Sequence, residues 1–169
     1  MILQLFLLLA AVLLSPSLAL PTSTTVTQNP WQVYPLTALG PASTANSTNT
    51  TISFVFMDPN SNTSARCSSS FPATSPPSTY LPCSNNTFAW ELASFKSVES
   101  FTLKLEKRYK DDSVGDEGDI TFFGQTDVAK GANYTCSGNG SSAGEQCSVV
   151  SRTTPILVPL TSATAKRNV

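Results

Sequence analysis

Apolar residues recur at every second position through residues 51–57, placing Ile52, Phe54 and Phe56 on one side of an extended chain. That period of two is the signature of a strand with one buried face. The run stops at Asp58-Pro59-Asn60, a turn signal. Residues 100–107 repeat the pattern, with Phe101, Leu103 and Leu105 pointing one way and Thr102, Lys104 and Glu106 the other. Alternation therefore predicts Ile52, Phe54, Phe56, Phe101, Leu103 and Leu105 in the core, with Lys104 and Glu106 facing water. Shorter strands are expected over residues 88–92, 119–123, 134–137, 146–151 and 154–160. Residues 32–39 open the domain, where Pro35 demotes the segment to an edge or a bulged strand because it cannot donate to a ladder. Residues 91–101 have partial helical spacing, but Ser94, Ser97 and Ser100 break the stripe, and the window reads as strand, turn, strand. Many short strands, with turn signals about every ten residues, predict an all-β chain folded as a single compact antiparallel β-barrel or sandwich.

The N-terminus departs from this pattern. Residues 1–14 are almost continuously apolar, and Ser17 and Ala19 are the small residues that suit signal peptidase. Residues 1–19 are therefore expected to be a signal peptide cleaved after Ala19. A membrane anchor is the competing reading, but the apolar run is short and lacks a basic flank. Residues 20–28 read as a Thr-rich flexible leader, 29–162 as the β domain and 163–169 as a polar tail containing the dibasic pair Lys166-Arg167. No second apolar run could span a bilayer, so the mature chain is expected to be secreted, extracellular and free of the membrane.

Composition narrows the chemistry. Only 12% of the 169 residues are charged, the formal net charge is −1, and histidine is absent. Such a balance lacks the basic footprint of a nucleic-acid binder. Without histidine the chain cannot build a Ser-His-Asp or Cys-His nucleophile, nor a histidine-ligated zinc or copper centre. No phosphate-cradling glycine loop, nucleophile elbow or metal motif is present, and no cofactor or catalytic residue is expected. Carboxylate-only hydrolysis would need two converging acids. Glu91, Glu99 and Asp127 supply carboxyl groups, but not a spacing that marks a site.

Cys67, Cys83, Cys136 and Cys147 allow three pairings. Joining neighbours in sequence would close loops rich in turn-formers, with Pro72, Pro76, Pro77 and Pro82 in the first and Gly138, Asn139, Gly140 and Gly144 in the second. A four-thiolate metal site is the alternative, although it would lack a Cys-x-x-Cys pair and would form in an oxidising route. Asn-x-Ser/Thr sequons at Asn46, Asn49, Asn62, Asn85, Asn133 and Asn139 are glycosylation candidates, expected on exposed loops.

The densest polar stretch runs from Lys104 to Asp119. Lys104, Lys107, Arg108 and Lys110, with Asp111 and Asp112, are candidate partner-binding charges on an exposed hairpin whose opposite charges pair across strands. A calcium loop formed by Asp112, Asp116, Glu117 and Asp119 competes with this reading, but calcium takes about six to eight oxygens and the spacing fits no EF-hand. Trp31 and Trp90 raise carbohydrate stacking. Trp90 alternates with Phe88 and Leu92 and reads more simply as core, while Trp31 either caps the end of the domain or is exposed.

The order of these features has a counterpart. The Phe-alternating strand running into Asp58-Pro59-Asn60 is followed by Arg66-Cys67, Tyr80-Leu81-Pro82-Cys83 and Phe88-Ala89-Trp90. Then come the strand from Phe101 to Leu105, Asn133-Tyr134-Thr135-Cys136 and a final Cys147. Over residues 32–159 this resembles the AA1-like family of small secreted fungal proteins, the major Alternaria allergen type. The resemblance implies a compact antiparallel β-barrel with disulfides Cys67–Cys83 and Cys136–Cys147. It also implies host interaction, as an allergen or as an elicitor or suppressor of plant defence, and carries no catalytic residue. The family's founding member is linked into a dimer by an additional N-terminal cysteine. Residues 20–66 here contain none, so no disulfide-linked dimer is expected.

These readings converge on a secreted, non-catalytic binding protein at the fungus–host or fungus–environment interface, its partner an extracellular host protein or a cell-wall glycan. A carbohydrate- or cell-wall-binding module is the alternative, and a small carboxylate-dependent hydrolase a further one.

Overall fold

The computed structural model describes residues 28–41, 48–110, 119–138, 144–149 and 151–166. The expected signal peptide and nearly all of the Thr-rich leader lie outside the described residues, as do Asn46, Asp111, Asp112, Asp116, Glu117, Asn139 and Arg167.

The regular elements among the described residues are all strands: β1 (Trp31–Leu39), β2 (Asn49–Asp58), β3 (Thr63–Pro72), β4 (Leu81–Pro82), β5 (Phe88–Ser97), β6 (Ser100–Lys110), β7 (Asp119–Ala129), β8 (Tyr134–Ser137), β9 (Gln146–Val149), β10 (Ile156–Val158) and β11 (Leu160–Lys166). They form two antiparallel sheets. Sheet A has the order β3-β2-β1-β9-β8, with β10 beside the first half of β1, and sheet B has the order β11-β7-β6-β5-β4. The sheets do not close on one another, so of the two expected architectures the sandwich is realised and the barrel is not. Proline 159 carries the chain from β10 in one sheet to β11 in the other.

The core is the product of the two alternating strands. All six residues expected inside, Ile52, Phe54, Phe56, Phe101, Leu103 and Leu105, are buried. Rings meet edge to face at their centre: Trp31 and Phe56 at 4.9 Å, Phe56 and Phe88 at 4.8 Å, Phe54 and Trp90 at 5.3 Å. Each such pair adds about 0.5–1.5 kcal/mol beyond the area it buries. β5, a turn and β6 replace the weak helical signal of residues 91–101, as expected.

Pro35 bulges its strand without making it an edge. β1 lies inside sheet A, between β2 on one flank and β10 and β9 on the other, and its register with β2 shifts between Val33 and Leu36, around Tyr34-Pro35. The C-terminal end also differs from expectation. The single strand anticipated over 154–160 divides at Pro159, and residues assigned to a polar tail continue β11, with Ala163 opposite Phe122 and Lys166 opposite Asp119. Hydroxyl and alanine side chains on an exposed edge need no apolar alternation, so no period-two signal marks them.

Both disulfides join sequence neighbours. Cys67–Cys83 spans 16 residues and Cys136–Cys147 spans 11. No free cysteine remains, which removes the four-thiolate metal alternative. In the chain-entropy view each bridge stabilises the fold by about 3 kcal/mol.

Gly124, on the inner face of β7, lets Trp31 close against the sheet. A Cβ there would stand 3.0 Å from the Trp31 ring, from Val158 and from the Pro159 carbonyl oxygen. Trp31 and Val158 are fully buried and have nowhere to retreat. Gly124→Ala is expected to cost about 1–3 kcal/mol by overpacking, read as a lower urea midpoint. An unchanged midpoint would show that the indole has room to move.

Candidate functional site

Side chains of outward parity on β6 form a charged row across sheet B. Thr102, Lys104, Glu106, Arg108 and Lys110 lie opposite Asp127, Gln125, Phe123, Thr121 and Asp119 of β7. On the other flank, Lys104 faces Glu91 and Glu106 faces Ala89 on β5. Lys104 Nζ approaches Glu91 Oε1 at 3.2 Å, Arg108 Nε donates to Glu106 Oε1 at 2.8 Å, and Thr102 Oγ1 donates to Asp127 Oδ1 at 2.6 Å. Tyr80, just before β4, lays its ring 6.1 Å from that of Phe123. Burial, then the nearby Glu91 and Glu106 carboxylates, push the Tyr80 hydroxyl up to about 12.

Glu106 keeps its expected outward parity but not its expected exposure. It is buried, lying opposite Phe123, whose ring meets Tyr80. Of the basic residues expected on this surface, Arg108 and Lys110 are exposed and Lys104 is partly so.

Lys107 does not lie on an exposed hairpin as the partner-binding charge expected of it. It shares the parity of Phe101, Leu103 and Leu105, so its side chain enters the sandwich and is 4% exposed. Asp58 does the same from β2, continuing the Ile52-Phe54-Phe56 face, and is fully buried. The two meet at the end of the core, with Lys107 Nζ donating to Asp58 Oδ2 at 2.5 Å. The same oxygen accepts from Ser61 Oγ and Tyr109 OH, each at 2.5 Å, and Oδ1 accepts from the backbone N–H and side-chain amide of Asn60, each at 3.0 Å. The ammonium also bonds Ser61 and Thr63 and stands 4.8 Å and 4.3 Å from the Phe88 and Tyr109 ring centres. Burial alone would raise the Asp58 carboxyl. Hydrogen bonds from Lys107, Ser61, Tyr109 and Asn60 outweigh it and hold the group well below its ordinary value of 3.8. Burial, then the bond to Asp58, raises the Tyr109 hydroxyl. This plug satisfies buried charge and offers none to a ligand.

No family model, curated protein or solved structure matches this chain.

The carboxylates named as hydrolase candidates do not converge. Glu91 and Asp127 stand on β5 and β7 with β6 between them, about two strand spacings or 10 Å apart across the sheet. Glu99 sits in the β5–β6 turn, where Lys130 Nζ lies 2.5 Å from its Oε1. That hydrogen bond lowers the Glu99 carboxyl, while burial and a hydrogen bond to Glu99 raise Glu145. Trp31 and Trp90 are both 0% exposed, so neither can stack on a sugar. The four described sequon asparagines, Asn49, Asn62, Asn85 and Asn133, are all exposed. Asn62 lies in the β2–β3 turn with φ of 52°, a left-handed conformation that asparagine tolerates. A depression of about 640 Å3 forms an open trough beside β11 where Gln28, Pro30 and Phe122 meet residues 159–163. No helix of the described residues is long and apolar enough to cross a membrane.

Proposed function

We propose that this chain is a secreted, glycosylated binding protein of the AA1-like type that acts at the fungus–host or fungus–environment interface without catalysis. The observation carrying this reading is the outer face of sheet B, where Lys104 beside Glu91, Arg108 beside Glu106 and Lys110 opposite Asp119 form a mixed charged row along one strand, with Arg108 and Lys110 exposed. Arg108 and Lys110 are the exposed cations that an acidic patch on an extracellular partner would meet. Two intramolecular disulfides agree with an oxidising compartment, and they join the cysteines that the family resemblance pairs.

Neutralising Lys104, Arg108 and Lys110 to Gln together is expected to weaken association with an extracellular host partner by about tenfold or more at low salt. The thermal midpoint is read alongside, because Lys110 is exposed and its loss should cost little, whereas Arg108→Gln also removes the partner of the buried Glu106 and should lower the midpoint. Lys107 is left intact, since it holds the core. The test is quantitative capture from host extracellular fluid by the wild-type chain and by the triple variant. Identical capture would sink the proposed face. Turnover of a glycan, ester or peptide substrate, abolished by Glu91→Gln, would overturn the non-catalytic reading.

A further inference from the structure

The outer face of sheet A has a different chemistry. β1, β3, β8, β9 and β10 contain no Asp or Glu, and the one acid of β2, Asp58, points into the core. The register lines up side chains of outward parity in rows across the strands. One row consists entirely of hydroxyls: Thr135, Ser148, Thr37, Ser53 and Ser68, contributed by β8, β9, β1, β2 and β3. Adjacent strands stand about 4.8 Å apart, close to the length of one sugar unit in an extended polysaccharide. All five residues are at least partly exposed, and none of their hydroxyls bonds another described residue.

The neighbouring row supplies flat surface and positive charge. The β1 bulge presents Tyr34 and Pro35, and across from it Val55 pairs with Arg66. A shallow depression of about 520 Å3 joins Tyr34, Pro35, Val55 and Met57 to Arg152. A second, of about 220 Å3, runs from Pro35 past Ser53 to Arg66 and Ser68, reaching the hydroxyl row. Neither Arg66 nor Arg152 pairs with a described carboxylate. Two unpaired guanidinium groups therefore flank a strip of hydroxyls and ring surface on an acid-free face.

We propose that this face binds a linear acidic polysaccharide, one whose repeating sugar carries a carboxylate. Guanidinium forks match carboxylates in bidentate geometry. Tyr34 and Pro35 offer flat apolar area to sugar rings, and the hydroxyl row can both donate to and accept from sugar hydroxyls. An acidic peptide fits less well. Peptides dock on sheets by adding a strand to an open edge, whereas this strip centres on β1, whose backbone is already paired on both flanks. The site lies on the opposite sheet from the charged row of β6 and stands independently of it.

The probe is sodium polygalacturonate, titrated calorimetrically against the full chain after enzymatic removal of any N-linked sugar, since Asn49 opens β2 on this same face. Wild-type protein is expected to bind the acidic polymer at least about tenfold more tightly than its fully methyl-esterified form. Arg66→Gln with Arg152→Gln should remove that preference, and Thr37→Val with Ser53→Val should weaken binding to the acidic polymer. All four positions face solvent, and thermal midpoints check that the variants fold. The Lys104, Arg108 and Lys110 variant should bind as wild type does, which separates failure of this site from failure of the sheet B face. Absence of binding, equal affinity for the esterified polymer, or binding indifferent to Arg66 and Arg152 would overturn the proposal. Polyglutamate bound as tightly as polygalacturonate would overturn it in favour of an acidic peptide.

Discussion

Lys107→Ala is expected to lower the unfolding free energy by about 3–5 kcal/mol, the usual cost of leaving one charge of a buried pair without its partner. Asp58 would keep its bonds from Ser61, Tyr109 and Asn60, but its carboxylate would sit fully buried with no cation beside it. Lys107→Met combined with Asp58→Asn should be more stable than Lys107→Met alone, because the second change removes the stranded charge. The pH dependence follows from the depressed Asp58 carboxyl. A folded-state value below the unfolded one gives stability that is complete above the ordinary range, near pH 4, and drains away as pH falls toward the folded value. The stability of wild type relative to the paired variant should therefore be at its highest at pH 7 and fall steadily below about pH 4. Urea midpoints at pH 7 and pH 3 measure both effects. A Lys107→Ala cost under about 1 kcal/mol would mean that water reaches the pair and stands in for the amine.

Phe56→Ala is expected to be about as costly, at roughly 3–5 kcal/mol. Its ring is fully buried and meets Trp31 and Phe88 edge to face, so truncation opens a void against two large rings that are themselves pinned. Trp31 also packs closely on Gly124, which limits its freedom to fill the gap. Phe56→Leu, which keeps most of the volume, should lose distinctly less. Denaturant unfolding separates these outcomes. Equal losses for Ala and Leu would show that ring contacts, more than volume, hold this part of the core.

Much of the sandwich was legible because β2 and β6 each bury a full apolar face, and period-two alternation reports that directly. The same parity extends to two charged residues. Asp58 follows Ile52, Phe54 and Phe56 in step, and Lys107 follows Phe101, Leu103 and Leu105, so opposite charges sit at the end of two inward faces. Their chemistry pointed to a turn and to a solvated hairpin, and burial of a matched pair overrode it. β3 gave little contrast because its inward apolar residues are small or interrupted, with three serines between Cys67 and Phe71, and β11 gave none because its exposed side chains are small and polar. The hydroxyl row of sheet A could not be read from the chain at all. Thr37, Ser53, Ser68, Thr135 and Ser148 become neighbours only once strand order and register are fixed, and residue-by-residue periodicity encodes neither.

The placing of the disulfides governs what happens when the chain is cut. Residues 73–79, largely exposed and proline-rich, form the connection between β3 and β4, and both its ends lie inside the span from Cys67 to Cys83. Residues 138–145 likewise lie inside the span from Cys136 to Cys147. A protease that nicks either connection leaves two pieces still joined by a disulfide, between β3 and the end of β4 in one case and across the β8–β9 pair in the other, so neither fragment can leave. One nick in these connections is therefore a scar that leaves the chain in one covalent piece.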